Sequence, residues 1–141
     1  MQIMKRKMAL DYGKVRIGIA MSDPMGIIAN GLETYTCKDE QADIEHIAKL
    51  IKDNDVDTVV LGLPYNMNGT SGEMVSVVKA FGEKLGANVD AKIVYLDERL
   101  TSLSAERLLI EADVRREKRK QVIDKLAATI ILQNYLDIHK N

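Results

Sequence analysis

The spacing of apolar residues changes partway along the chain, and that change restricts the folds open to it. Residues 4–10 read as a strand closed by the turn signal Asp11-Tyr12-Gly13. Residues 16–21 alternate, with Ile17, Ile19 and Met21 on one face and Arg16, Gly18 and Ala20 on the other. The short connection makes the pair a hairpin, and a third short strand is expected over residues 32–36. Then the period becomes helical: Ile44, Ile47, Ala48 and Ile51 fall at i, i+3, i+4 and i+7, behind the acids Asp39 and Glu40. Residues 58–63 follow, with Val59-Val60-Leu61 unbroken by polar groups, as in a parallel strand covered on both faces; Pro64 ends it. A loop through Asn66, Asn68 and Gly69 leads to a helix striped by Met74, Val77, Val78, Phe81 and Leu85. Thr70 and Glu73 fit its capping box and Gly86 its stop. Residues 92–96 form a fifth strand. Thr101 or Ser102 caps a helix carrying Ala105, Leu108 and Leu109, and a long last helix runs over residues 118–135 with Ile123, Ala127, Ile130 and Ile131 inward.

Helical crossovers between the later strands predict that they lie parallel in one sheet, with right-handed connections. No repeat, linker or low-complexity stretch interrupts the 141 residues, so a single α/β domain over residues 1–141 is expected. An apolar share of 46% is too high for a disordered chain. The lone Cys37 leaves no partner for an intramolecular disulfide, and with only His46 and His139 beside it a zinc site is disfavoured. Cys37 and His46 read as structural. Residues 1–7 are basic but lack the apolar run of a signal peptide, and no stretch approaches the ~18 apolar residues of a membrane span, so a cytoplasmic protein is expected. With 20 Lys plus Arg against 21 Asp plus Glu, the molecule as a whole is not a basic nucleic-acid binder. Five Tyr and one Phe are too few for extensive base stacking. Charge is concentrated locally in Arg115-Arg116-Glu117-Lys118-Arg119-Lys120, which taken alone reads as a solvated helix face.

In open α/β sheets, ligands gather at the carboxyl ends of the parallel strands. Asp11 closes the first strand, the loop 64–72 follows the fourth, and Asp97-Glu98 ends the fifth. If those strands are neighbours, a strand spacing of about 4.8 Å brings Asp11 and Glu98 within reach of one ion. The plainer alternative has Asp11 shaping its turn and Glu98 pairing with Arg99. Asp124 borders the apolar stripe of the last helix, where it either pairs with Lys125 or reaches inward over the sheet edge. Three carboxylates in one pocket repel, and a divalent ion removes that penalty. Magnesium or manganese suits an oxygen-only donor set, and two ions about 3.5–4 Å apart are the usual clamp for phosphodiester hydrolysis. No nucleophile with a paired histidine stands out, so metal-assisted hydrolysis outranks covalent catalysis. Asn66, Asn68 and Gly69, just before a helix N-terminus, suit a phosphate, although no Lys-Ser or Lys-Thr follows as in a Walker loop. Arg16, Arg99 and Lys125 are expected near the acids, as contacts for flanking phosphates.

Taken together, Leu10-Asp11-Tyr12-Gly13 with Arg16-Ile17-Gly18, Ser22-Asp23-Pro24, Gly62-Leu63-Pro64 with Gly69 and Gly72, Asp97-Glu98-Arg99-Leu100-Thr101, and Asp124-Lys125-Leu126-Ala127-Ala128 with Ile131-Leu132-Gln133 and Tyr135-Leu136 resemble the YqgF/RuvX family. The blocks occur in the family's order and span nearly the whole chain. The resemblance implies an RNase H-like three-layer fold, with a mixed five-stranded sheet of order 3-2-1-4-5 flanked by helices. Members are described as nucleases of pre-16S rRNA acting in 5′-end maturation, and have also been named Holliday junction resolvases by similarity to RuvC. Carried over by position, it makes Asp11, Glu98 and Asp124 the catalytic carboxylates holding Mg2+ or Mn2+. It also turns Arg115, Arg116, Lys118, Arg119 and Lys120 into a backbone-binding patch. Ala127 and Ala128 stand where RuvC-like sites carry a fourth acid. The implied partners are an rRNA precursor or branched DNA, and ribosomal subunit precursors. A monomer or weak homodimer is expected, since a resolvase cutting two strands symmetrically needs a twofold dimer. The competing readings are a branched-DNA nuclease, a non-catalytic RNA-binding ribosome-assembly factor and, more distantly, a nucleotide phosphatase.

Overall fold

Alternation in the first third of the chain produces two hairpins that share a strand. β1 (Arg6–Tyr12) pairs antiparallel with β2 (Arg16–Ser22), and β2 pairs antiparallel with β3 (Ala29–Thr36). These elements come from a computed structural model that describes residues 5–66, 68–101 and 116–139, with the side chains of residues 116–122 outside that description. α1 (Glu40–Asp53) then crosses to β4 (Val56–Leu63), and α2 (Glu73–Gly86) crosses to β5 (Lys92–Asp97). Both strands run parallel to β1, giving the order β3-β2-β1-β4-β5. A 3₁₀ turn, Glu98–Leu100, follows β5, and the last helix, α3, spans Arg116–Ile138. The helix expected beyond Thr101 lies outside the described residues.

Three local expectations are corrected. β3 begins at Ala29 rather than residue 32, because Ser22 pairs with Ala29. The register slips where Ile19 faces Glu33 and Ala20 faces Gly31, leaving Leu32 as the extra residue of a bulge and half exposed. Alternation is thereby broken in the middle of the strand. Thr70 does not cap α2: its hydroxyl donates to Asn68 Oδ1 at 2.7 Å, and the N-cap is Gly72, with no side-chain cap. Gly86 is the last residue of α2 rather than a left-handed stop, and a Cβ there would stand 3.1 Å from Ile93 of β5. α1 starts as expected, with Asp39 accepting from the Ala42 amide at 2.8 Å.

The sheet buries both faces. Met8, Leu10, Ile17, Ile19, Val59 and Leu61 point toward α1 and α2 and meet Ile44, Ile47, Val78, Phe81 and Leu85. Ala9, Ala20 and Val60 point the other way, against Ala127, Ala128, Ile131 and Leu132 of α3. The first interface is built from large side chains, whereas the strands give the second small ones such as Ala9, Ala20 and Gly18, so α3 sits close to the strands. Among the described residues, no helix is long and apolar enough to cross a membrane, and no buried side-chain nitrogen or oxygen lacks a hydrogen-bond partner.

Candidate active site

Side chains alternate along a strand, so the face carrying Ala9 of β1 also carries Asp11. By the same parity, the α3 face receives Gly18 of β2, beside Ala20, and Gly62 of β4, beside Val60. Asp11 pairs directly with Gly18 across the hairpin. On its other side, Leu10 lies beside Leu61, and the parallel register carries on to place Asp11 beside Gly62. The carboxylate of the central strand is therefore flanked by the two positions that have no side chain. Glycine inside a strand marks a close approach, and here an acidic residue takes part in each, beside Ile131 at Gly62. A Cβ on Gly18 would lie 1.9 Å from the backbone oxygen of Asp124, so α3 rests directly on β2 at that point. A Cβ on Gly62 would lie 2.9 Å from Glu98 Oε2, so the Glu98 carboxylate leans over β4 toward Asp11.

The backbones of Asp11, Glu98 and Asp124 are thus gathered at the carboxyl end of β1, β4 and β5. Their side chains are not equally disposed. Asp124 accepts a 2.9 Å hydrogen bond from Arg16 Nε, and both side chains are about three-quarters buried, with 22% and 26% exposed. Asp124 pairs with Arg16 rather than Lys125, whose stem instead covers Gly31 of β3. Among the described residues, no three His, Cys, Asp or Glu side chains converge closely enough to hold a metal ion. Asp11 and Glu98 lie about Gly62, and Asp124 is engaged by Arg16. The donor set is all carboxylate oxygen, which fits Mg2+ or Mn2+ once Asp124 joins it.

Arg99 does not pair with Glu98. The 3₁₀ turn folds it back onto Asp97, with Nη2 2.6 Å and Nε 3.0 Å from Oδ2. That bidentate contact holds the Asp97 carboxyl below the usual carboxylate range. The guanidinium also lies 5.3 Å from the centre of the Tyr65 ring, and its Nη1 is 3.4 Å from where a Cβ of Gly69 would be. Arg99 therefore stands over the loop after β4, anchored on two sides and exposed. Gly69 adopts φ +87°, which lets its amide donate to the Asn66 oxygen at 2.9 Å. Asn66 Nδ2 donates to Thr70 at 3.0 Å, and Asn68 Oδ1 accepts from the Thr70 amide and hydroxyl. Asn66 and Asn68 thus shape the loop with those groups. Lys14 ties the β1–β2 turn to Glu73 at the start of α2, at 2.9 Å.

Arg115 lies outside the described residues. Arg116, Lys118, Arg119 and Lys120 belong to the first turns of α3, and their side chains lie outside the description. Sequence reasoning missed Gly18 and Gly62 as the floor of the site, and Asp97 and Tyr65 as the supports of Arg99. Glycine inside two otherwise apolar strands was the available signal for the floor.

The chain matches the family described as "RuvX: Holliday junction resolvase" over residues 5–138. A protein of Halalkalibacterium halodurans, named "Putative pre-16S rRNA nuclease", is 53% identical over 134 residues, covering 94% of this chain and 96% of that one. One of the same name from Streptococcus equi subsp. equi is 50% identical over 135 residues, covering 94% and 97%. Among solved structures, T. thermophilus RuvC in complex with a Holliday junction substrate aligns with TM-score 0.62 and 8% identity over 95% of this chain and 96% of that one. The fowlpox virus Holliday junction resolvase aligns at 0.52 and 12% identity, over 94% and 99%. At such identities these two structures share the fold.

Proposed function

Because the chain belongs to the RuvX family, we propose that it is a divalent-metal-dependent endonuclease that hydrolyses a phosphodiester bond at the 5′ end of precursor 16S rRNA, in the cytoplasm, during ribosome maturation. The observation that carries this reading is the row Gly18–Asp11–Gly62 across three adjacent strands, with Asp124 seated on one glycine and Glu98 leaning over the other. Relatives sharing about half of their residues with this chain are named for pre-16S rRNA, and that name supplies the substrate class.

Asp11, Glu98 and Asp124 would hold Mg2+ or Mn2+, which when bound supplies positive charge at a phosphoryl oxygen as negative charge builds there. The protein's own groups do the rest. Asp11 projects from the middle of the sheet, on a strand hydrogen-bonded on both sides, so its carboxylate is held by the most rigid part of the fold. Arg99, fixed on Asp97 and Tyr65, is offered to a neighbouring phosphate without first having to be ordered. The N-terminus of α2, which has no side-chain cap, follows the loop after β4 and suits a phosphate. Lys125 and the basic run Arg115 to Lys120 extend the contact along the nucleic-acid backbone, a sequence-independent attraction that weakens with salt.

The test is a competition with Mg2+ or Mn2+ between a precursor 16S rRNA 5′ fragment and a four-way DNA junction. Cleavage of the RNA, lost in Asp11→Asn and Glu98→Gln, is the expected result. Preferential cleavage of the junction would move the substrate to branched DNA, in keeping with the description of the family. RNA binding without cleavage by either variant or wild type would identify a non-catalytic assembly factor.

A further inference from the structure

Asp124 can change its side-chain direction but not its place. Its backbone oxygen lies where a Cβ of Gly18 would be, and the surrounding turn of α3 packs through Ala127 and Ala128 against Ala9 and Ala20. The position of the carboxylate is therefore decided by its own torsions and by whatever attracts it. In this structure the attraction is Arg16, which opens β2 on the same face as Gly18 and Ala20. Among the described residues, Oδ2 alone is engaged, by Nε at 2.9 Å, a single charge-assisted bond in a partly buried setting. In the same arrangement, no three acidic groups among the described residues form an ion site.

We propose that Arg16 is a resident counter-cation for Asp124, a positioning residue that occupies the third carboxylate until a divalent ion competes it away. This inference rests on the metal-dependent reading above. Electrostatics favours such a device. Without an ion, three carboxylates brought together at this edge would repel, and the repulsion is strongest where water is partly excluded. A guanidinium that pairs with one of them lessens the repulsion while keeping the acid within a side chain's reach. The arrangement has a cost: an ion must displace Arg16 from Asp124, so the apparent affinity of the site is lower than its three carboxylates would otherwise provide.

Manganese binding measured by calorimetry on the whole chain, with Arg16→Gln and Arg16→Lys beside wild type, separates the outcomes. Arg16→Gln keeps much of the side chain's size but removes its charge, and is expected to bind Mn2+ about ten-fold more tightly, while melting at lower temperature without the ion. Arg16→Lys keeps the charge and should bind Mn2+ close to the wild-type affinity. Unchanged or weaker binding by Arg16→Gln overturns the proposal, because Arg16 would then only support the fold or the ligated carboxylate. Failure of all three proteins to bind Mn2+ overturns the metal site itself. A second measurement needs no variant that has to fold: the Arg16 Nε–H signal in NMR of wild type, shielded from water exchange by Asp124, should lose that shielding when Mg2+ saturates the protein. Shielding that persists at saturation also overturns the proposal.

Discussion

Replacing Gly18 with alanine tests the seating of α3 on the sheet, on which the site depends. The new methyl would stand 1.9 Å from the Asp124 carbonyl oxygen and 2.5 Å from its carbon, both backbone atoms. A carbon and an oxygen in weak contact keep about 3.3 Å, so the helix must retreat by about 1.4 Å from the 1.9 Å approach, or the strand must sink. Neither is easy, because β2 is hydrogen-bonded on both edges and α3 is packed through Ala127, Ala128 and Ile131. Inserting a methyl into a packed core usually costs about 1–3 kcal/mol, and a clash with backbone belongs at the upper end. About 3 kcal/mol corresponds to a melting temperature lowered by about 10 °C in a domain of this length. Thermal unfolding followed by circular dichroism gives the measurement, with Gly72→Ala as the control. At Gly72 the nearest atom to a new Cβ is 4.0 Å away and φ is −87°, so only the weaker alanine cap is felt, about 1 kcal/mol or less. If Gly18→Ala melts within about 2 °C of wild type, α3 does not rest on β2 as described and the placement of Asp124 falls with it.

The other glycine of the floor should behave differently. A Cβ at Gly62 meets only side-chain ends, Ile131 Cδ1 at 2.6 Å and Glu98 Oε2 at 2.9 Å, so Gly62→Ala should lose less stability than Gly18→Ala but displace Glu98 and sharply reduce cleavage. Parallel melting and nuclease assays decide it, and full activity in Gly62→Ala would argue against a catalytic Glu98. Tyr35 is pushed up to about 12 by burial and by its hydrogen bond to Asp43. A raised folded-state value means its contribution to stability is full below the unfolded value near 10 and is lost as pH rises through about 12. Tyr35→Phe should therefore flatten the fall in unfolding free energy between those two pH values, and an unchanged alkaline limb would refute this. Cys37 is raised to about 11 by burial and then by the charge of Asp43, so it should alkylate far more slowly at pH 8 than free cysteine. Rapid labelling by iodoacetamide in the folded protein would contradict the packing around β3.

What could be read from the residues alone followed from how local each signal was. The hairpin of β1 and β2, the unbroken run of β4 and the stripe of α1 each lie within a dozen or so residues, and their periods name them directly. β3 was less legible because the bulge at Leu32 puts it out of phase halfway along. Thr70 and Glu73 have the spacing of a capping box, yet the polar groups of Asn66 and Asn68 were closer partners for the threonine hydroxyl. In the site, the placement of Asp124 at the border of an apolar stripe was visible, and its direction was not. Arg16 lies 108 residues away along the chain, and the packing of α3 on Gly18, Ala9 and Ala20 brings the two together. Arg99 shows the same limit at short range: Glu98 is its neighbour in sequence, but the 3₁₀ turn folds it back onto Asp97.

The smallness of the α3 face has a temporal consequence. Among the described residues, five strands and two α-helices precede α3, and α3 covers the sheet face that carries Ala9, Ala20 and Val60. During synthesis the hairpins and crossovers can form while the helix bearing Asp124 is still unmade, so Asp11 and Glu98 precede the third proposed ligand. The layer that docks on that face also carries Asp124, so a chain cut before it would expose apolar strand surface and lack the third proposed ligand.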